Sequence, residues 1–344
     1  MMQKHEIFLD FGSKFSLNHI LQNSSLQSAS RLSNLIINTH DPYPNFLHKI
    51  RGRERRRKMQ TDYKYNMGNL AYPDIQDYLK KKDIVMVPIA SLEQHSYHCP
   101  LFTDMITARE VVYRAAQQAE VLYTPESWIG YSPHHMGPPG LGLGTITVRA
   151  ETFRNLYYDV ARSLIHHGFN KIVFVTGHAS NMKIIDPLLR KIKYDTGAMV
   201  CVYKPYAENY FGMIADLLEG PPEETPGWHA GELETANVLA HDEKLVRMDR
   251  AVKSERTKTP PYLPESFMKK DGTPSVEFEG WNYFVFPMEH REFSDTGLIG
   301  NPLRGTKEKG EEAFKRFGEH LARALAEFEK VKIEVTNREW KDRV

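Results

Sequence analysis

The sequence IVMVPIASLEQHSYHCPLFTD (84–104) joins an apolar run to a dense group of metal-binding side chains. The apolar run predicts a buried strand, because short runs of this composition favour the interior of a parallel sheet. Glu93 and His95 then project from the same face of an extended segment, since side chains alternate along it. Asp104 follows a short loop, where a carboxylate could bridge two cations. Mixed carboxylate and imidazole ligation suits zinc, manganese or iron, so the segment predicts a metal site at the end of a strand.

Composition narrows the possible partners of the chain. Its 344 residues carry 45 basic and 44 acidic side chains, and a net charge of +1 provides no field that would attract nucleic acid or an anionic membrane. We therefore expect a small-molecule substrate. Cys99 and Cys201 form no disulfide framework, and neither a long apolar span nor a signal-peptide core is present. These features predict a cytoplasmic protein that does not span a membrane.

Residues 1–66 differ in composition from the rest of the chain. The segment is polar and rich in Asn and Ser, and it ends near the basic run RGRERRRK (51–58). We expect an N-terminal extension that is poorly ordered or arises from the gene model, with Met59 as an alternative start. A role of the basic run in nucleic-acid binding or nuclear localisation is a more specific alternative. Runs of charge are, however, usually solvated linkers.

From about Tyr72, strand and helix signals alternate. The predicted strands are 84–90, 119–125, 171–176 and 198–203, and the predicted helices include one capped by Thr103 or Asp104 and running to 118, one over 153–165, one from after 227 to 240, and one over 306–330. Such alternation predicts a single α/β domain with three layers, α/β/α, and a mostly parallel sheet. The Pro-, Lys- and Gly-rich stretch within 252–290 predicts an insertion or lid.

Two further polar motifs follow apolar runs. TGHASN (176–181) places His178 after a predicted strand, and GWHAGELETA (227–236) places His229, Glu232 and Glu234 at the start of a helix. Ligands of parallel α/β sheets bind outside the carboxyl ends of the strands. The motifs should therefore bring several imidazoles and carboxylates to one end of the sheet.

The ordered set of motifs resembles the creatininase family of metal-dependent amidohydrolases. ASLEQHSYHCPLFTD (90–104) matches the family pattern, with Ser96 where Gly is usual, and TGHASN and HAGELET match two further elements. A stretched Pro-Gly-Thr-Ile element (137–147) and the final segment TGLIGNPLRGTKEKGEEAF (296–314) are also similar. The resemblance covers about Ile84 to Leu325. It implies a creatininase-like hydrolase domain over 67–335, followed by a tail over 336–344.

The resemblance also implies a role for each site residue. One metal ion would be held by Glu93, Asp104 and His178, and a second by His95, Asp104 and one further carboxylate. We favour Glu234 over Glu232 for that carboxylate, because Glu234 matches the Glu-Thr part of the motif and residues two apart on a helix do not share a face. His229 is predicted to transfer a proton. Ser132, His135 and Trp228 are predicted to contact the substrate. His98 and Glu232 are predicted to orient the metal ligands without contacting the metal themselves.

The implied activity is hydrolysis of a small cyclic amide or formamide, by attack of a hydroxide that bridges two divalent ions, zinc or manganese with iron possible. Creatinine-hydrolysing members carry a Tyr and a metal-binding Glu where this chain has Ala179 and Ser180. A ring-opening hydrolase of a cyclic keto-polyol of the keto-inositol type is therefore an alternative. A non-catalytic binding or scaffold protein is a second alternative. The family resemblance also implies a homo-oligomer, possibly a hexamer.

Overall fold

The sheet of this computed structural model contains four strands in the described part of the chain. The described residues are 64–205, 212–221, 227–253, 262–267, 276–281 and 283–344. The strands are β1 (Ile84–Ile89), β2 (Leu122–Tyr123), β3 (Lys171–Thr176) and β4 (Met199–Tyr203). They lie in the order β2-β1-β3-β4, and all neighbouring pairs are parallel. Every residue of β1 and β3 is buried, as their apolar sequences predict for central strands.

Helices cover both faces of this sheet. They are α1 (Tyr72–Leu79), α2 (Thr103–Ala119), α3 (Ala150–His167), α4 (Met182–Thr196), α5 (Glu232–Asp242) and α6 (Lys307–Glu329). The chain moves one way across the sheet from β1 to β2 and the other way from β2 to β3 and β4. Because such crossovers are right-handed, α2 lies on one face and α3 and α4 lie on the other. Helices α5 and α6 pack with α2. The predicted three-layer fold with a parallel sheet is confirmed.

The second strand is shorter than the predicted 119–125. Ala119 still belongs to α2, and Glu120 then adopts a left-handed conformation with φ of 52° that ends the helix. After β2, the N–H of Thr124 donates to the carbonyl of Met86, but Pro125 has no N–H to continue the ladder. The helix predicted over 104–118 is therefore longer than expected at both ends, and the strand is reduced to two residues.

The tail over 336–344 packs against the end of α3. Arg162 donates to the carbonyl oxygens of Asn337 and Glu339, and Arg338 donates to that of Ile165. The predicted extension over 1–66 lies almost wholly outside the described residues, and the predicted insertion over 252–290 lies partly outside them. Among the helices that are described, none has both the length and the apolar composition needed to cross a bilayer.

Candidate active site

The predicted site residues converge at the carboxyl ends of β1 and β3. These strands are neighbours, and the strand order reverses between them, which is where ligands bind in sheets of this type. Gly177 allows the turn after β3 to press against the first turn of α2, because a Cβ at Gly177 would lie 1.9 Å from the carbonyl oxygen of Asp104. This close approach brings His178 beside Asp104.

Neither Thr103 nor Asp104 caps α2, so both options predicted from sequence are wrong. The helix begins at Thr103 with Phe102 at the N-cap position, and no side chain caps it. Asp104 lies inside the first turn and is only 2% exposed. Its carboxylate therefore benefits from the positive end of the helix dipole while its oxygens face the site.

The first group of potential ligands consists of Glu93, Asp104 and His178. His178 Nδ1 lies 3.3 Å from Glu93 Oε2 and 3.1 Å from Asp104 Oδ2. The other ring nitrogen of His178, Nε2, lies 3.0 Å from the carbonyl oxygen of Tyr131. We assign Nε2 as the protonated nitrogen, because a carbonyl only accepts hydrogen bonds, so the lone pair of Nδ1 points towards the carboxylates.

The second group consists of His95, Asp104 and Glu234. His95 Nε2 lies 3.3 Å from Asp104 Oδ1 and 3.4 Å from Glu234 Oε2. His95 Nδ1 lies 3.1 Å from the carbonyl oxygen of Glu93, which assigns the proton to Nδ1 by the same argument. Asp104 thus belongs to both groups, with one oxygen facing each imidazole. All four carboxylate or imidazole neighbours of Asp104 named here are buried.

Glu232 and Glu234 point to different environments on α5. Glu232 accepts hydrogen bonds from the backbone N–H groups of Glu219 and Gly220 and from Lys309 Nζ at 2.6 Å. Glu234 Oε2 accepts from the backbone N–H of Ala230 at 2.6 Å and faces His95. The structure therefore places Glu234, and not Glu232, beside the second imidazole.

The chemistry of these two groups fits divalent cations. His95 Nε2 and Asp104 Oδ2 are closed off from solvent and have no hydrogen-bond partner among the described residues. His95 Nε2 nevertheless lies within 3.4 Å of two carboxylate oxygens, and Asp104 Oδ2 lies 3.1 Å from His178 Nδ1. The potential ligand atoms of each group lie within 4.8 Å of one another, close enough to bind one ion. Imidazole and carboxylate donors suit zinc and manganese.

The pKa shifts also indicate that positive charge stabilises this group of buried carboxylates. Burial lowers the pKa of His95, but the carboxylates of Asp104 and Glu234 outweigh burial and raise it to about 10. Burial raises the pKa of Asp104, but His95 and His178 hold it at about 2. Burial, with Asp104 adding to it, raises the pKa of Glu234 to about 7. A proton or a metal ion can supply the positive charge that this carboxylate set needs.

Ser96 adopts a backbone conformation that glycine adopts more readily. Its φ of 56° lies in the left-handed region, where glycine is favoured and where the resembling family usually has Gly. The backbone N–H of Ser96 donates to Gln94 Oε1 at 3.0 Å, which helps to hold this conformation. The turn after His95 therefore has a non-glycine residue in the left-handed region.

His229 presents one ring nitrogen to the first group. Its Nε2 lies 2.6 Å from the carbonyl oxygen of Gln94, which assigns the proton to Nε2, and its Nδ1 lies 3.7 Å from Glu93 Oε1. Burial, helped by the charges of His95 and His290, lowers the pKa of His229 well below its usual value. A neutral imidazole whose free lone pair faces the carboxylates can accept a proton and return it.

A second set of polar side chains adjoins His229. Ser132 Oγ donates a short hydrogen bond to Glu93 Oε2, and His135 Nε2 lies 3.5 Å from Glu93 Oε1. His135 Nδ1 lies 2.6 Å from Nδ1 of His290. The rings of His135 and His290 are 4.4 Å and 4.6 Å from that of His229. Ser132 and His135 therefore lie beside Glu93, and their predicted contact with substrate stays a prediction.

Gln94 and His290 were not predicted as site residues. Gln94 Nε2 lies 3.2–3.4 Å from a ring nitrogen of His135, His229 and His290, so the amide occupies the centre of the three imidazoles. Three histidines could hold a metal ion, but here a side chain of the protein fills their common centre. Gln94 stands inside the first motif, which is a signal that could have indicated it. His290 falls at the end of the predicted insertion, in no recognised motif.

His98 and Trp228 lie at the edge of this arrangement. His98 Nε2 lies 3.0 Å from Thr235 Oγ1, and Thr235 donates to the carbonyl oxygen of Ala230. His98 thus contacts the start of α5, one residue after Glu234. Trp228 is half-buried and precedes His229 in the chain. Its predicted contact with substrate stays a prediction.

A parallel sheet whose strand ends carry buried carboxylates and imidazoles is an arrangement typical of metal-dependent hydrolases. The family model described as creatininase, creatinine amidohydrolase, matches residues 68–325. The chain therefore belongs to the creatininase family, and the predicted class of enzyme, a hydrolase, is confirmed.

Individual relatives agree with this assignment. The chain is 25% identical to the creatinine amidohydrolase of Pseudomonas putida, over 76% of this chain and 96% of that protein. It is 26% identical to the 3-dehydro-scyllo-inosose hydrolase of Thermotoga maritima, over 73% of this chain and 79% of that protein. A solved structure titled as manganese creatininase superimposes with a TM-score of 0.61 and 25% identity, covering 78% of this chain and 99% of that one.

Proposed function

We propose that this protein is a two-metal hydrolase that acts on the carbonyl group of a small cyclic amide or formamide. The observation that carries the proposal is the position of Asp104, whose two oxygens face His178 and His95 in two separate three-residue groups. A carboxylate placed in this way can bridge two cations. The similarity to a manganese creatininase supports manganese, and the imidazole and carboxylate donors also suit zinc.

Two divalent ions, when bound, would supply an activated water and polarise the carbonyl of the substrate. Glu93 and His178 would hold one ion, His95 and Glu234 the other, and Asp104 both. His229 would take a proton at Nδ1 and deliver it to the leaving nitrogen, because its Nε2 is held by the carbonyl of Gln94. Ser132 would orient Glu93 through its hydrogen bond.

A cyclic keto-polyol is the alternative substrate. The imidazoles of His135, His229 and His290 offer uncharged hydrogen-bonding groups, which suit hydroxyls. The similarity to an inosose hydrolase supports the same class. Creatinine itself is a less favoured substrate, because Ala179 and Ser180 stand where creatinine-hydrolysing members have a Tyr and a metal-binding Glu.

Metal analysis combined with a substrate panel tests the proposal. The purified protein would be loaded with manganese or zinc and assayed on lactams, formamides, creatinine and cyclic keto-polyols. We expect turnover of at least one class, loss of turnover after chelation, and recovery when metal is restored. A protein that holds two ions yet is inert on the whole panel would favour the scaffold alternative.

The two glutamates of α5 form a matched pair for mutation. We expect Glu234→Gln to lower the metal content from two ions to one, because the second group loses its charged carboxylate. Glu232→Gln should keep both ions but lower the free energy of unfolding by about 1–3 kcal/mol, because Lys309 loses a buried charged partner. Elemental analysis and thermal unfolding measure both effects. Loss of metal in Glu232→Gln alone would contradict the assignment.

Stability of the metal-free protein should depend on pH. The pKa of His95 is raised to about 10 from 6.5, so the stabilisation from its proton is complete below pH 6.5 and is lost as pH rises towards 10. The pKa of Glu234 is raised to about 7 from 4.5, so the stabilisation from its proton is likewise lost as pH rises, but over the lower range from 4.5 to 7. Bound metal removes the need for these protons.

We therefore expect the difference in Tm between metal-loaded and chelated protein to widen as pH rises from 6.5 towards 10. Differential scanning fluorimetry at a series of pH values measures it. A difference that stays constant or narrows over this range would show that protons do not replace metal at this site.

A further inference from the structure

His290 reaches the candidate active site from outside every motif of the family resemblance. It begins a short 3₁₀ helix, His290–Glu292, and its side chain is only 3% exposed. Its Nδ1 lies 2.6 Å from His135 Nδ1, and His135 Nε2 in turn faces Glu93. One imidazole therefore separates His290 from the first group of potential metal ligands.

The segment that carries His290 is fixed to the site at several further points. Gly297 has a φ of 73°, and a Cβ there would lie 2.1 Å from Gln94 Oε1, so the backbone passes directly against the Gln94 side chain. The N–H of Ile299 donates to the carbonyl of His229 at 2.9 Å. The segment 290–299 thus forms part of the site wall.

One nitrogen of His290 has no hydrogen-bond partner in the described part of the chain. Nε2 is closed off from solvent and makes no hydrogen bond to any described residue. Leaving a buried ring nitrogen without a partner is unfavourable, so such atoms normally have a partner supplied by water or a ligand. Beside His229, a substrate can supply that partner.

We propose that His290 Nε2 binds a hydroxyl group of the substrate, on the side of the molecule remote from the metal ions. The Nδ1–Nδ1 contact with His135 needs one proton, carried by either ring. His290 Nε2 is therefore a donor in one arrangement and an acceptor in the other, and a hydroxyl can satisfy both. His290 would then be a residue that determines specificity, and the substrate would be a hydroxylated cyclic carbonyl compound. This inference rests on the proposed hydrolase function.

Matched substrate pairs test the inference. Each pair consists of a cyclic amide or cyclic ketone and its counterpart with one additional ring hydroxyl, assayed with the metal-loaded full chain. We expect the wild type to prefer the hydroxylated member of at least one pair by about tenfold or more in kcat/KM, as one buried hydrogen bond allows. His290→Ala should reduce that preference to less than about threefold, mainly by raising KM for the hydroxylated member. His290→Gln, which can still donate and accept, should recover part of the preference.

His167→Ala is the control, because His167 is exposed at the end of α3. Metal content and Tm of each variant show whether the site and the fold are intact. An unchanged preference in His290→Ala would overturn the inference while leaving the hydrolase proposal in place. Loss of metal in His290→Ala would overturn it in favour of a structural role. A wild type that is inert on every pair would overturn the hydrolase proposal and this inference together.

Discussion

Asp104→Asn is expected to remove most of the bound metal and nearly all hydrolytic activity. Each oxygen of Asp104 faces a different imidazole, so the neutral amide weakens both three-residue groups at once. Its nitrogen would also place hydrogen-bond donors where a cation is expected to bind. We expect fewer than about 0.5 ions per chain after dialysis, and a fall in kcat of about 10³-fold or more, the scale of effect when a site that activates water is lost.

The control is Asp186→Asn on α4, where the carboxylate is exposed and pairs with Arg190. It should keep two ions and full activity. Tm of the chelated Asp104→Asn protein should be lower than that of the chelated control, because the imidazoles of His95 and His178 lose a buried carboxylate partner. Two ions retained by Asp104→Asn would disprove the bridging role of this residue.

Much of the fold was predictable because its signals are local. The apolar runs of β1 and β3 are buried on both sides, and such strands are recognised by composition alone. The edge strand β2 was less well predicted, because its length depends on where α2 ends and on the missing N–H of Pro125. These are properties of neighbouring elements rather than of the apolar run.

The residues of the candidate site likewise differ in how far the sequence predicts them. Glu93, His95 and Asp104 share one motif, so their proximity follows from short sequence separation. The preference for Glu234 over Glu232 came from the Glu-Thr part of the motif, while helix geometry predicted only that the two side chains point in different directions, as the structure shows. Their role as ligands stays a proposal.

His290 could not be predicted because nothing in its local sequence marks it. It lies 155 residues from His135 in the sequence, yet the two rings are in contact, so their proximity arises only in the folded chain. A single histidine in a polar stretch is more often structural than functional. Only the tertiary contact, together with its unpartnered nitrogen, distinguishes it.

His229→Gln should lower kcat by about 10²–10⁴-fold while both metal ions are retained. The glutamine amide can still donate towards the carbonyl of Gln94, as His229 Nε2 does, so the wall of the site is preserved. It cannot accept and return a proton as the imidazole Nδ1 does. The substrate KM should change little, because proton transfer contributes in the transition state rather than in the ground state.

The control for this variant is His241→Gln. His241 lies near the end of α5, where its imidazole pairs with Glu110 at 2.8 Å, outside the two ligand groups. It should keep its activity. A substrate with a better leaving group should recover much of the activity of His229→Gln, because protonation of that group is then less demanding. If His229→Gln instead loses one metal ion, His229 belongs with Glu93 and His95, to which it is also close enough, and acts as a ligand rather than as the proton carrier.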